Sequence, residues 1–165
     1  MDVEKAITLA RALLDSHGLT VSLEWHNRKL CAGTTHFLGG QCVCISLSRP
    51  ITAINSEDQV RDTILHEIAH AKAGLQAGHG PAWKTLARSI GARPEPCCDA
   101  NTVQVPGKYF AVCPVCSTEL NKYRRPKAGA RYLCGACNRK GIKSFVELCQ
   151  TQQHPRYSHG MTRGQ

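Results

Sequence analysis

The sequence predicts an α+β chain: an N-terminal helix, a three-stranded antiparallel sheet and a pair of helices in one core, then a small four-cysteine ribbon. Three observations predict it. Apolar residues recur at helical period over 3–16 and again over 60–90. They alternate with period two in parts of the stretch between 20 and 47, and two Cys-x-x-Cys pairs stand seventeen residues apart further on. The boundaries expected from these patterns are a core over 1–98, a ribbon over 99–150 and a flexible tail over 151–165.

In chain order, Val3, Ile7, Ala10, Leu13 and Leu14 form one stripe on a helix that His17-Gly18 ends, leaving one apolar side to pack on a sheet. Strands are expected over 20–26, 30–37 and 41–47. Asn27-Arg28-Lys29 and Gly39-Gly40 are short turn-like joints, so hairpins should link all three strands. Ser56 followed by Gln59 is a capping box with Glu57 and Asp58 in the first turn, and Val60, Ile64, Leu65, Ile68 and Ala71 continue a helix to Gly74. After the glycine-rich break over 74–80, Pro81 suits the first turn of another helix, whose inner face is Trp83, Leu86, Ala87 and Ile90. Gly91 ends it, and 93–98 reads as an extended linker.

The chemistry lies on the first helix of that pair, in His66-Glu67-Ile68-Ala69-His70. Residues four apart stand one turn above each other, so the two imidazoles share a face and can grip one metal ion. A catalytic zinc takes three protein ligands and keeps one position for water, so a third ligand is needed. His79 suits it, following His70 after eight intervening residues with Gly80-Pro81 behind it; Glu95 is a rival, but its Pro-Glu-Pro setting is not the second-helix position that role expects. Zinc at His66, His70 and His79 would acidify a water, with Glu67 as acid/base in the attack on a carbonyl. The strand over 41–47 is expected at the sheet edge, pairing with an extended substrate backbone. His17, His26 and His36 lack a partner at ligand spacing and read as ordinary histidines.

Cys113, Cys116, Cys134 and Cys137 have the spacing of two zinc knuckles, and four thiolates close a tetrahedron, so this second zinc is structural. Two zinc ions per chain are therefore expected. The remaining cysteines, Cys31, Cys42, Cys44, Cys97, Cys98 and Cys149, read as buried or spare reduced thiols, because the N-terminus lacks an export signal. A chain that stays in the cytoplasm, with no membrane partner, is the corresponding expectation. The formal charge of +9 lies entirely in residues 101–165, which hold eleven Lys/Arg against Glu119 and Glu147. Lys122, Tyr123, Arg124, Arg125, Lys127 and Arg131 interleave aromatic and basic groups between the knuckles, a pattern suited to nucleic acid. Tyr109 and Phe110 lead into the first knuckle; Tyr109 and Tyr132 are candidates for the same surface or for the ribbon's core. The tail, with His154 and His159, has no apolar period.

His66-Glu67-Ile68-Ala69-His70, His79-Gly80-Pro81-Ala82-Trp83-Lys84 and the four cysteines together resemble the SprT-like metalloproteases, over roughly residues 1–145. The resemblance implies a zincin-like core with zinc at His66, His70 and His79, and Glu67 as catalytic acid/base. It also implies a protease for protein substrates attached to DNA, with activation by DNA; a monomer whose partner is single-stranded or damaged DNA is the accompanying expectation. The eight residues between His70 and His79 are fewer than in several relatives, and the C-terminal recruitment motifs of the eukaryotic ones are missing. A bacterial or viral type is the corresponding expectation.

Overall fold

The computed structural model describes residues 1–96 and 103–151. The chain divides into two compact units, 1–105 and 106–165. Expectations about Cys97, Cys98, His154, His159 and the tail beyond residue 151 fall outside the described residues.

The first unit opens with helix α1, Val3–Ser16, capped by the Asp2 side chain and followed by Gly18 at a φ of 65°. Ala6, Ala10 and Leu14 are its buried face. That face packs mainly on a later helix rather than on the sheet. Three strands follow, β1 (Ser22–His26), β2 (Gly33–Leu38) and β3 (Gln41–Ser48).

The sheet is not the antiparallel hairpin series expected. Its order is β1-β3-β2, with β1 parallel to β3 (Ser22 opposite Cys44, His26 opposite Ser48) and only β2 antiparallel to β3. The cause is the connection over 27–32, which is not a tight hairpin turn. The Ser48 hydroxyl donates to the Arg28 carbonyl at 2.6 Å and the Ser48 amide to the Ala32 carbonyl at 2.8 Å. Held there, the chain passes the end of β3 and lays β2 on its far side. Strand β3 is therefore central, not the edge, and Cys44 through Ser48 are buried along it.

A short helix α2, Arg49–Ile54, went unread in the sequence; the Ser48 hydroxyl caps it and Pro50 lies in its first turn. Helix α3, Glu57–Ala73, has the predicted capping box between Ser56 and Gln59. Val60, Ile64, Leu65, Ile68 and Ala69 bury its inner side against α1, the sheet and helix α4, Pro81–Ser89. Trp83, Ile45, Leu47, Ile64 and Ile68 are the large, fully buried side chains of this core.

The second unit is built from β4 (Tyr109–Val112), β5 (Glu119–Lys122), β6 (Arg131–Leu133), α5 (Gly135–Asn138), β7 (Phe145–Glu147) and β8 (Cys149–Gln150). Strands β5-β4-β8 form one sheet and β6-β7 another. Residues 123–130 thus connect two small sheets. Phe110 is fully buried, Tyr132 packs on the cysteine core and Tyr109 is half-buried.

Cys44 is buried, while Cys31, Cys42 and Cys149 are half-buried free thiols. No helix among the described residues is long and apolar enough to cross a membrane.

Candidate functional site

Helix α3 carries His66 and His70 on one face, one turn apart, and stops at Gly74 with a φ of 83°. A short 3-10 turn, Leu75–Ala77, leads to Gly78 at φ 48° and ψ −130°. Both glycines take positive-φ backbone that other residues rarely adopt, and this reversal returns His79 to α3 within nine residues of His70. The Gly80 amide closes the turn on the Ala77 carbonyl at 2.9 Å, and Pro81 starts α4 at once.

Three Nε2 atoms converge as a result. His66 and His70 stand 3.2 Å apart, His70 and His79 3.0 Å, and His66 and His79 3.1 Å. Nitrogens bound tetrahedrally to one zinc ion lie roughly 3.3 Å apart, so the donor set fits that ion. Burial, reinforced by the neighbouring imidazoles, lowers the pKa of His66 and His70 to about 4, which leaves both rings neutral and their lone pairs available. His79 is shifted in the same direction by desolvation and by Lys84.

Glu67 is 6% exposed, and burial pushes its carboxyl up to about 7 against the hydrogen bond from Thr35. The Thr35 hydroxyl lies 2.7 Å from Glu67 Oε2 and 3.0 Å from the Glu67 carbonyl. Gly33, two residues earlier on β2, allows this approach: a Cβ there would sit 2.7 Å from Glu67 Cγ. Edge strand β2, not β3, is therefore the strand beside the carboxylate. Neither Gly33 nor Thr35 was read as part of the site. Each contacts a residue more than thirty positions away, and strand alternation carries no signal for that.

A cavity of about 360 Å³ opens against His66 and Glu67. Leu30 to Gly33 form one wall and Gln59, Asp62 and Thr63 of α3 another. Asp62 fixes the third wall by accepting from the Arg93 amide at 2.9 Å and from Arg93 Nε at 3.1 Å. Glu95 lines this cavity and is outside the histidine group. His36 bonds Ser46 at 2.8 Å, His26 Nδ1 accepts from the Arg28 amide, and the His17 carbonyl accepts from Lys72, all outside that group as well.

Among the described residues a second group can hold a metal: Cys113, Cys116, Cys134 and Cys137. The Sγ atoms of Cys113 and Cys137 are 3.6 Å apart and those of Cys116 and Cys134 3.5 Å. Thiolates around one zinc stand roughly 3.8 Å apart, so this set also fits. The Ser144 hydroxyl, 3.2 Å from Cys113 Sγ, draws that thiol down to about 6, whereas burial pushes Cys137 up to about 12.

Lys122, Arg124, Arg125, Lys127 and Arg131 are all exposed, and Tyr123 is half-buried. Lys122 Nζ lies over the Tyr132 ring at 5.1 Å, and the Arg131 guanidinium over Phe145 at 5.4 Å.

Comparison with known proteins covers the first unit. A model of the SprT-like family matches residues 4–104, taking in the histidines and Glu67 and stopping short of the cysteines. The chain is 32% identical over 103 residues to germ cell nuclear acidic protein of Homo sapiens, which covers 58% of this chain and 15% of that protein. It is 32% identical over 94 residues to protein SprT of Pseudomonas putida (strain W619), and 30% identical over 94 residues to protein SprT of Pseudomonas entomophila (strain L48). Each bacterial alignment covers 50% of this chain and 57% of the relative, so the chain spans little more than half the length of those proteins.

Proposed function

The chain belongs to the SprT-like family, and on that footing we propose that it is a zinc metalloendopeptidase with a zincin-like core, acting on proteins held on DNA. The observation that carries the reading is the convergence of three neutral imidazole nitrogens at 3.0–3.2 Å beside a buried carboxylate one residue along the same helix. His66, His70 and His79 would hold a zinc ion, which would supply a Lewis acid to acidify a water and polarise the scissile carbonyl.

Glu67 accepts the water's proton and returns it to the leaving amine. The Thr35 hydroxyl donates to Oε2, which orients the carboxylate for this proton transfer. The side chain keeps one rotamer because Gly33 leaves room for it and the Thr35 hydroxyl holds it. An extended substrate pairs along β2, an outer strand of the sheet, and places side chains in the cavity beside His66. Cys113, Cys116, Cys134 and Cys137 would hold a structural zinc, which would supply folding free energy to the ribbon.

DNA is bound by the basic segment over 122–131, where exposed cations meet phosphates and the half-buried Tyr123 ring is available to a base. Support comes from the charge, eleven basic residues against two acidic ones over 101–165, and from the exposure of the five cations named above. We place the protein in the cytoplasm as a monomer.

The test is cleavage of a DNA-bound protein by wild type and Glu67→Gln, with and without DNA. Cleavage by wild type alone, stimulated by DNA, is the expected result. Equal cleavage by both proteins refutes the mechanism. Cleavage by wild type that ignores DNA keeps the peptidase and removes the DNA-directed role.

A further inference from the structure

We propose that Trp83 is a positioning residue for the histidine tripod, its single indole serving as the common floor that orients all three imidazoles before a metal ion arrives. The inference rests on the metal-holding reading above. Helix α4 begins two residues after His79, and its first turn carries Trp83 under the site.

The side chain is 0% exposed, and its ring centroid lies 4.7 Å from that of His66, 5.1 Å from His70 and 4.6 Å from His79. The interplanar angles are 62°, 27° and 90° in the same order, so each imidazole meets the indole at a different tilt. Three rings from two elements, His66 and His70 on α3 and His79 after the turn, share this one surface. A bicyclic ring has the breadth to touch all three, and the smaller phenyl ring gives up part of that contact.

The indole N–H separates this role from simple filling. Trp83 Nε1 is buried with no hydrogen-bond partner among the described residues. Leaving a donor unmade in a core costs free energy that a phenylalanine avoids. Packing alone therefore does not account for an indole here, whereas fixing the approach of three ligands does. Groups that orient metal ligands from outside the coordination sphere typically change metal affinity 10–100-fold when removed, about the scale expected for this residue.

The experiment uses the full chain with its cysteine cluster loaded with zinc and its histidine site emptied by chelator. Each protein is titrated with Co²⁺, followed by visible absorption, and its thermal unfolding is recorded before cobalt is added. Trp83→Phe should bind Co²⁺ about 10–100-fold more weakly than wild type, with an altered absorption band, and should still unfold in one cooperative transition. Leu86→Ala, a truncation of a half-buried residue on the same helix, should lower the unfolding temperature and leave cobalt affinity intact.

Wild-type affinity in Trp83→Phe overturns the proposal. So does failure of that variant to fold, or a loss of affinity matched by Leu86→Ala. A wild-type protein that takes up no cobalt overturns the metal reading itself, and this inference with it.

Discussion

The histidine group and the cysteine group can each hold one metal ion, but they stand in opposite relations to their own folds. The histidines are mounted on a seventeen-residue helix whose inner side is buried in a core of its own, with Ile64, Ile68 and Ala69 packed beneath them. The cysteines are themselves the centre of their unit: Cys113, Cys134 and Cys137 are buried, and they pack with Ala111 and Val146 as the core. One ion would be a guest on a finished scaffold with a cavity beside it, and the other would be part of the scaffold. A site meant for chemistry needs the first arrangement, because a substrate must reach the ion without the fold having to open.

Breaking the cysteine group should have the largest effect. Cys137→Ser removes one of four candidate ligands from a cluster whose metal, on the proposed reading, would supply folding free energy on the order of 10 kcal/mol. Residues 106–151 should then become sensitive to protease while the first unit stays resistant, as limited proteolysis will report. Removing a histidine has no such consequence: His79→Ala should lose metal and retain the far-ultraviolet circular dichroism and protease resistance of the first unit.

Next in size is Glu67→Gln, which should lower peptide cleavage roughly 10²–10⁴-fold with zinc content unchanged. The same substitution probes a quieter cost. In the metal-free protein, burial raises the Glu67 carboxyl from an ordinary 4.5 to about 7. The folded state then holds this proton more tightly than the unfolded chain, so the contribution to stability is intact below the unfolded value and lost as pH rises through the folded one. Glutamine has no proton to release. Metal-free Glu67→Gln should therefore gain on wild type by about 2–3 kcal/mol between about pH 5 and about pH 8, measured by urea unfolding.

Thr35→Val, which keeps the shape and removes the donor, should lower kcat about tenfold, the scale of one hydrogen bond to a charged group. Thr35→Ser should restore most of it. The smallest effect belongs to the basic segment. Arg125→Ala should reduce the slope of DNA affinity against salt by about one counterion and leave cleavage of a free peptide unchanged. A flat salt response in wild type would remove the phosphate contacts altogether.

Much of this was legible from local pattern. The capping box at Ser56 and Gln59, the helical period to Gly74, the i,i+4 histidines and the paired Cys-x-x-Cys motifs are short-range signals, and the structure has them where the sequence put them. His79 could be read because it follows His70 across a short glycine-rich break with Gly80-Pro81 behind it.

What was not legible depends on partners distant in sequence. Alternation in β1 says that one face is buried but not which strand lies beside it, so the parallel pairing with β3 and the outer place of β2 went unread. The same holds for β5 and β6, which pair with β4 and β7 rather than with each other. Thr35 and Gly33 look like ordinary strand residues until β2 is laid against α3. Helix α2 is too short to show a period, and its Pro50 reads equally well as a turn.

The claim beneath all of this is that the two groups hold one zinc each, in unlike ways. Elemental analysis of the full chain during graded chelation tests it most directly. Two zinc ions per chain are predicted, the first leaving with no change in fold and absent from His79→Ala, the second leaving only as residues 106–151 unfold. One zinc per chain in wild type, or a first loss that His79→Ala does not abolish, would contradict the account.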